Sequence, residues 1–245
     1  MIPKLIHYCW FGKKPLPKSA LKCISSWKKF FPDYEIKEWN EDNFDVNSIL
    51  YTQQAYQAKK YAFVSDYARY WILYHHGGLY FDTDVEVIKS MDDIVAKGPF
   101  MGVEIPSKKG KVPMVAPGLC LGAEKDMPFY KQILCNYTTL SFLNDDGTYN
   151  LKTIVYYNTE LLKDYGLLPN NDIQHVQGIW IYPWDYFNPL DDLTGKLNVT
   201  ENTRSIHWYS KTWSDTNLLR KKMSRLSHRI FGLAIHNIII YFKKD

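Results

Sequence analysis

The apolar positions of this chain change their spacing several times, and each change marks an element. Residues 4–11 form an apolar-rich run closed by Gly12 and followed by Pro15 and Pro17, which predicts a first strand and its loop. Residues 19–31 carry Ala20, Cys23, Ile24 and Trp27 at helical spacing and stop at Pro32. Residues 34–39 alternate as a second strand does. A strand, helix, strand opening predicts an α/β sheet. Residues 55–76 are helical again, with Gly77-Gly78 as a left-handed stop. Leu79-Tyr80-Phe81 is then a short apolar strand that runs into Asp82-Thr83-Asp84 and on through residues 85–88. Loops around residues 107–111, helices over 128–136 and Ile154–Asp164, an aromatic segment over 179–187 and a helical tail from Asn217 complete the pattern.

A chain of 245 residues predicts one domain that buries a core without staples. With 46% hydrophobic and 23% charged residues, a coreless chain and a polytopic membrane protein are both excluded. Aromatics reach 16%, which suits stacking on sugars or bases and equally suits a large aromatic core. Cys9, Cys23, Cys120 and Cys135 lie far apart and read as buried thiols of a reducing compartment. The first residues lack the apolar stretch of a signal peptide, so the expected location is cytoplasmic.

Charge divides the chain. Residues 218–245 hold seven Lys or Arg against one acid, although the net charge of the whole is only +4. The expected organisation is a catalytic domain over residues 1–216 and a basic, apolar helical tail over 217–245. Residues 230–242 are mostly apolar but too short to span a bilayer, which needs about 20 residues. Basic charge beside an apolar segment suits peripheral contact with the inner face of the cell membrane, and packing on the domain would use the same residues. Nucleic acid is not an expected partner, because the basic residues gather at one end of an otherwise mildly acidic chain.

The candidate chemistry sits behind the third predicted strand. Asp82 and Asp84, two residues apart at a strand's end, can approach one hard cation, and ligands of open α/β sheets lie beyond such ends. Upstream, Ser65, Asp66 and Arg69 interrupt an otherwise aliphatic and aromatic helix over residues 62–74. A helix apolar on nearly every face is buried, and charges within it must be satisfied. Asp66 and Arg69, at i and i+3, serve either as an ion pair of the core or as contacts to ligand hydroxyls and phosphate.

Residues 6–12 (Ile-His-Tyr-Cys-Trp-Phe-Gly), 63–69 (Phe-Val-Ser-Asp-Tyr-Ala-Arg) and 77–84 (Gly-Gly-Leu-Tyr-Phe-Asp-Thr-Asp) resemble, in order, the three signatures of glycosyltransferase family 32. That family includes capsular-polysaccharide sugar transferases and mannosyltransferases and is distantly similar to the glucosylating domain of large bacterial toxins. The resemblance implies a GT-A fold, a Rossmann-like mixed sheet flanked by helices. It also implies retaining transfer of a hexose in surface polysaccharide synthesis. The donor is a nucleotide sugar, with a UDP-hexose favoured over GDP-mannose, and the acceptor a saccharide or lipid-linked glycan.

Carried over by motif, Trp10 stacks on the base, with Tyr8, Ser65 and Trp213 also on the donor side. Asp66 and Arg69 hold the sugar, and Tyr80 contacts the donor. Asp82 meets ribose or sugar directly or through the ion, and Asp84 coordinates Mn2+ or Mg2+. His207 or Ser210 is the third ligand by this resemblance, which also favours attack from the leaving group's own side with the departing phosphate helping to deprotonate the acceptor. Two other classes use the same residues. A haloacid-dehalogenase-type phosphatase would employ Asp82 as nucleophile and Asp84 as acid/base. A carbohydrate-binding module would use the aromatics alone.

Overall fold

The computed structural model describes residues 1–210, and its early elements follow the apolar spacing closely. β1 (Leu5–Cys9) leads through α1 (Lys18–Phe30) to β2 (Glu35–Trp39), and α2 (Leu50–Gln57) and α3 (Tyr61–His76) return the chain to β3 (Gly78–Tyr80). β4 (Val85–Val87), α4 (Asp92–Val95), β5 (Phe100–Ile105) and β6 (Met114–Ala123) follow. The remainder comprises α5 (Pro128–Thr138), α6 (Ile154–Asp164), β7 (Gln174–Val176), β8 (Ile179–Tyr182), α7 (Trp184–Phe187) and β9 (Ser205–His207).

Seven strands make one sheet in the order β2-β1-β3-β6-β5-β8-β7, and β4 pairs with β9 in a separate ribbon. β1 is parallel to β2 and β3, and β5 to β8, whereas β6 runs antiparallel to both β3 and β5. This is the mixed, helix-flanked sheet expected of a GT-A fold. Alternation along the strands sorts side chains between two cores. Ile6, Tyr8, Leu79 and Phe81 join Cys23, Ile24 and Trp27 of α1 on one face. Cys9 and Tyr80 point the other way, toward Val64, Ala68 and Ile72 of α3. Trp27 is fully buried and its Nε1 donates to the Val85 carbonyl at 2.7 Å, fixing α1 against β4. Burial of such a side chain contributes roughly 1.5–3 kcal/mol.

Three expectations change. Residues 55–76 form two helices rather than one: Lys59 takes a left-handed φ of 58° and the Lys60 N–H turns back to the Ala55 carbonyl, which makes a corner at the cleft rim. Gly77 does end α3 in the left-handed region, at φ 64°. β5 and β6 were not legible around the expected loop, because Pro117, Gly118 and Gly122 break the strand pattern of β6. Cys135 is exposed, unlike the other three thiols. The predicted tail over 217–245 lies outside the described residues, among which no helix is long and apolar enough to cross a membrane.

His7 ties β1 to both neighbours. Its Nδ1 accepts from Trp39 Nε1 at 3.1 Å, and its Nε2 donates to the Gly77 carbonyl at 3.0 Å, a pattern only the neutral ring satisfies. Burial lowers its pKa to about 4, despite the bond to Gly77. The unfolded chain binds this proton from about pH 6.5 downward, so stability present above that pH is lost as pH falls toward 4. The loss attributable to His7 is about 3 kcal/mol. Urea unfolding of the wild type and of His7→Gln between pH 7 and 4 should give a flatter profile for the variant by about this amount; parallel profiles contradict the assignment.

Candidate active site

From β1 the chain passes through α1 to β2 on one side and later reaches β3 on the other. The direction of winding therefore reverses at β1, and a crevice opens beyond the carboxyl ends of β1 and β3. A cleft of about 890 Å3 occupies that place. Trp10 and Gly12 line it from the turn after β1, Ser65 and Arg69 from α3, and Asp82 and Asp84 from the segment after β3. The Cys9 thiol also borders the cleft, but burial pushes its pKa up to about 12, which removes it as a nucleophile.

Arg69 is the hub. Its Nη2 lies 3.1 Å from Asp66 Oδ1 and 3.3 Å from Asp82 Oδ1, and its Nε donates to the Ser65 carbonyl at 3.1 Å. The guanidinium stands 5.0 Å from the centre of the Tyr80 ring, whose hydroxyl donates to Asp82 Oδ1 at 3.1 Å. Burial disfavours the Arg69 cation, but Asp82, Tyr80 and Asp66 outweigh it and raise its pKa further. Asp66 Oδ2 accepts the Ile154 N–H at the start of α6, 3.4 Å away. Burial pushes the Asp66 carboxyl up to about 6 in spite of Arg69, and burial likewise raises Asp82. One guanidinium thus serves two carboxylates.

Asp84 is held differently. Its Oδ2 accepts the backbone N–H and the hydroxyl of Ser210 at 2.8 and 3.0 Å, and its Oδ1 faces His207 Nε2 at 3.1 Å. The β4–β9 register closes the long gap in sequence by setting Val85 opposite His207. Burial opposes ionisation of Asp84, yet His207 and the Ser210 donors hold its carboxyl far below the usual range. The reciprocal field, led by Asp84, lifts His207 above its ordinary value although burial works against the cation.

Asp82, Asp84 and His207 offer one ligand atom each within 4.8 Å of one another. His207 Nδ1 is buried and has no hydrogen-bond partner among the described residues. Two carboxylate oxygens and an imidazole nitrogen suit a divalent cation with open positions for other ligands, so the residues fit the expected ion.

Of the residues read from sequence, Trp10, Ser65, Arg69, Asp82, Asp84 and His207 meet in the cleft, and Asp66 lines a smaller cavity that adjoins it. Tyr80 lies beneath them. Tyr8 is not brought to the cleft: it packs on Trp27 in the opposite core, and its hydroxyl donates to Glu38 at 2.7 Å. Trp213 lies outside the described residues.

Three residues escaped the sequence reading. Between the pairs Met101–Leu121 and Gly102–Ala116, residues 117–120 of β6 swell out of register and bring Gly118 over Asp82, whose N–H donates to the Gly118 carbonyl at 3.2 Å. Glu104 of β5 lines the cleft, and Tyr209 donates to it from the turn after β9. The glycine signalled irregularity, but nothing in the pattern paired it with an aspartate some thirty-five residues earlier.

Residues 17–101 match the family described as the glycosyltransferase sugar-binding region containing the DXD motif, so Asp82-Thr83-Asp84 falls within a recognised region. Over this stretch the chain is similar to the DXD glycosyltransferases. It is 27% identical over 199 residues to an uncharacterized glycosyltransferase of Acanthamoeba polyphaga mimivirus, covering 77% of this chain and 76% of that one. It is 28% identical over 111 residues to inositol phosphoceramide mannosyltransferase 1 of Schizosaccharomyces pombe, covering 41% of this chain and only 33% of that relative. Among solved structures, a glycosyltransferase involved in glycosylation of the major capsid of PBCV-1 aligns with 91% of this chain and 100% of that chain, at 10% identity and a TM-score of 0.48. These similarities do not support the phosphatase alternative. Asp82, its would-be nucleophile, already gives Oδ1 to Arg69 and Tyr80.

A Cβ built on Gly118 would lie 2.2 Å from Asp82 Oδ2 and 3.1 Å from Arg69 Nη1. Gly118→Ala should therefore push Asp82 off Arg69 and destabilise the fold by about 1–3 kcal/mol. Equilibrium unfolding in urea measures this, and an unchanged midpoint contradicts the packing described.

Proposed function

We propose that this chain is a DXD glycosyltransferase that moves a hexose from a nucleotide sugar to a saccharide or lipid-linked glycan acceptor with retention of anomeric configuration. A UDP-hexose is the favoured donor and GDP-mannose the second candidate. The observation that carries the reading is the meeting of Asp82, Asp84 and His207 beside the buried Asp66–Arg69 pair at the sheet's winding reversal. The names of the S. pombe relatives, which refer to inositol phosphoceramide, support an acceptor with a lipid portion. The reading includes a cytoplasmic location in surface polysaccharide synthesis, with the basic tail at the membrane's inner face.

A nucleoside diphosphate leaves poorly until its charge is neutralised. A divalent ion, Mn2+ or Mg2+, held by Asp84, Asp82 and His207 would supply that neutralisation as a Lewis acid. The imidazole in the set favours Mn2+ over the strictly oxygen-seeking Mg2+. Ser210 fixes the orientation of Asp84, so this carboxylate is preorganised rather than recruited. His207 would ligate as the neutral imidazole, through a ring nitrogen that carries no proton. Arg69 adds fixed positive charge beside the breaking bond, and Asp66 accepts hydrogen bonds from sugar hydroxyls. Trp10 supplies a flat apolar surface for the base.

With Mn2+ present, a panel of nucleotide sugars should show slow donor hydrolysis without acceptor for at least one donor, and chelation should abolish it. Asp84→Asn should lower turnover by about 10²–10³-fold, the usual cost of losing one preorganised electrostatic contact. The variant should still fold, because the amide oxygen can accept from Ser210, but with a lowered unfolding midpoint, because the pairing with His207 is lost. Full turnover in the variant contradicts the role given to Asp84.

A further inference from the structure

We propose that Glu104 accepts the proton of the incoming acceptor hydroxyl, an assignment that rests on the function proposed above. In the β5–β6 ladder Val103 faces Val115 and Ile105 faces Met114, so Glu104 is the extra residue of a β-bulge. Bulges re-aim a side chain out of strand alternation and gather beside active sites. Here the displaced residue reaches the junction between the large cleft and the smaller cavity of about 180 Å3, which share Arg69, Asp82, Glu104 and His207 among their walls.

A second feature fixes the side from which Glu104 acts. Tyr209 holds a left-handed backbone at φ 50°, an uncommon conformation for a residue with a Cβ. That turn lays its ring on His207, with centroids 4.2 Å apart, while its hydroxyl donates to Glu104 Oε1 at 3.1 Å. Glu104 is thereby fastened to the same wall as His207, where the leaving diphosphate would be neutralised. A carboxylate on the sugar's far face would be a nucleophile. One on the leaving group's face meets an acceptor that attacks from that face, as transfer with retention and no covalent intermediate requires.

In the step, the acceptor oxygen bonds to the anomeric carbon as the bond from that carbon to the phosphate oxygen breaks. The electron pair of the broken bond leaves with the nucleoside diphosphate, and the acceptor's proton passes to Oε2 of Glu104. During hydrolysis of the donor, water is the acceptor and loses its proton by the same route.

The test measures hydrolysis of the nucleotide-sugar panel by the full chain and by Glu104→Gln, with Mn2+, in the absence and presence of sodium azide. Azide attacks without losing a proton. Glu104→Gln should hydrolyse the donor about 10²–10⁴-fold more slowly than the wild type, the usual contribution of a positioned base. Azide should restore turnover and yield a glycosyl azide of the donor's own anomeric configuration, which also shows that the variant is folded. Hydrolysis at the wild-type rate overturns the proposal, as does a loss that azide does not rescue. A glycosyl azide of inverted configuration overturns it in favour of a nucleophilic role. A wild type inert toward every donor instead contradicts the parent function, which separates the two failures.

Discussion

The site is organised around a buried guanidinium shared by two carboxylates. Arg69 is enclosed in α3, where a cation without partners would be very costly. Asp66, one turn earlier on the same helix, and Asp82, beyond β3, meet that requirement together. Breaking such a buried arrangement by removing one partner costs about 3–5 kcal/mol, so the position of Asp82 is fixed by the helix as much as by its own strand. Tyr80 and Gly118 complete the enclosure, one by donating a hydrogen bond and the other by having no side chain. A single electrostatic constraint thereby links α3, β3, β6 and the start of α6.

The second carboxylate obeys a different rule. Asp84 lies close to Asp82 in sequence, but its partners come from the other end of the described chain, through the β4–β9 ribbon. Strong donors keep Asp84 ionised, while burial keeps Asp66 and Asp82 closer to protonation. The Asp84 carboxylate also lifts the pKa of His207 above its ordinary value, against the effect of burial. A divalent ion held there would set two positive charges among these carboxylates.

How much of this was legible in the chain depended on how local each constraint is. The helix carrying Asp66 and Arg69 and the strand ending at Asp82 were readable, because apolar periodicity is a local signal and the polar interruptions stood out against it. The i, i+3 spacing allowed the ion pair that forms. It could not show that Asp82 shares the same guanidinium, a contact made by folding alone. The corner at Lys59 was missed because residues 55–76 keep a helical pattern across it. Tyr8 was assigned with its motif, but period-two alternation turns it from the face that Cys9 and Tyr80 share. Glu104 and Gly118 depend on bulges in β5 and β6, and a bulge alters register without leaving a periodic trace.

The central claim is that Asp82, Asp84 and His207 together hold a divalent ion against a nucleoside diphosphate. Crystals grown with Mn2+ and a nucleoside diphosphate, measured near the manganese absorption edge, test it directly. The account predicts one anomalous peak bounded by these three side chains and by phosphate oxygen. A nucleotide seated in the cleft with no such peak, or with manganese bound elsewhere, would contradict it.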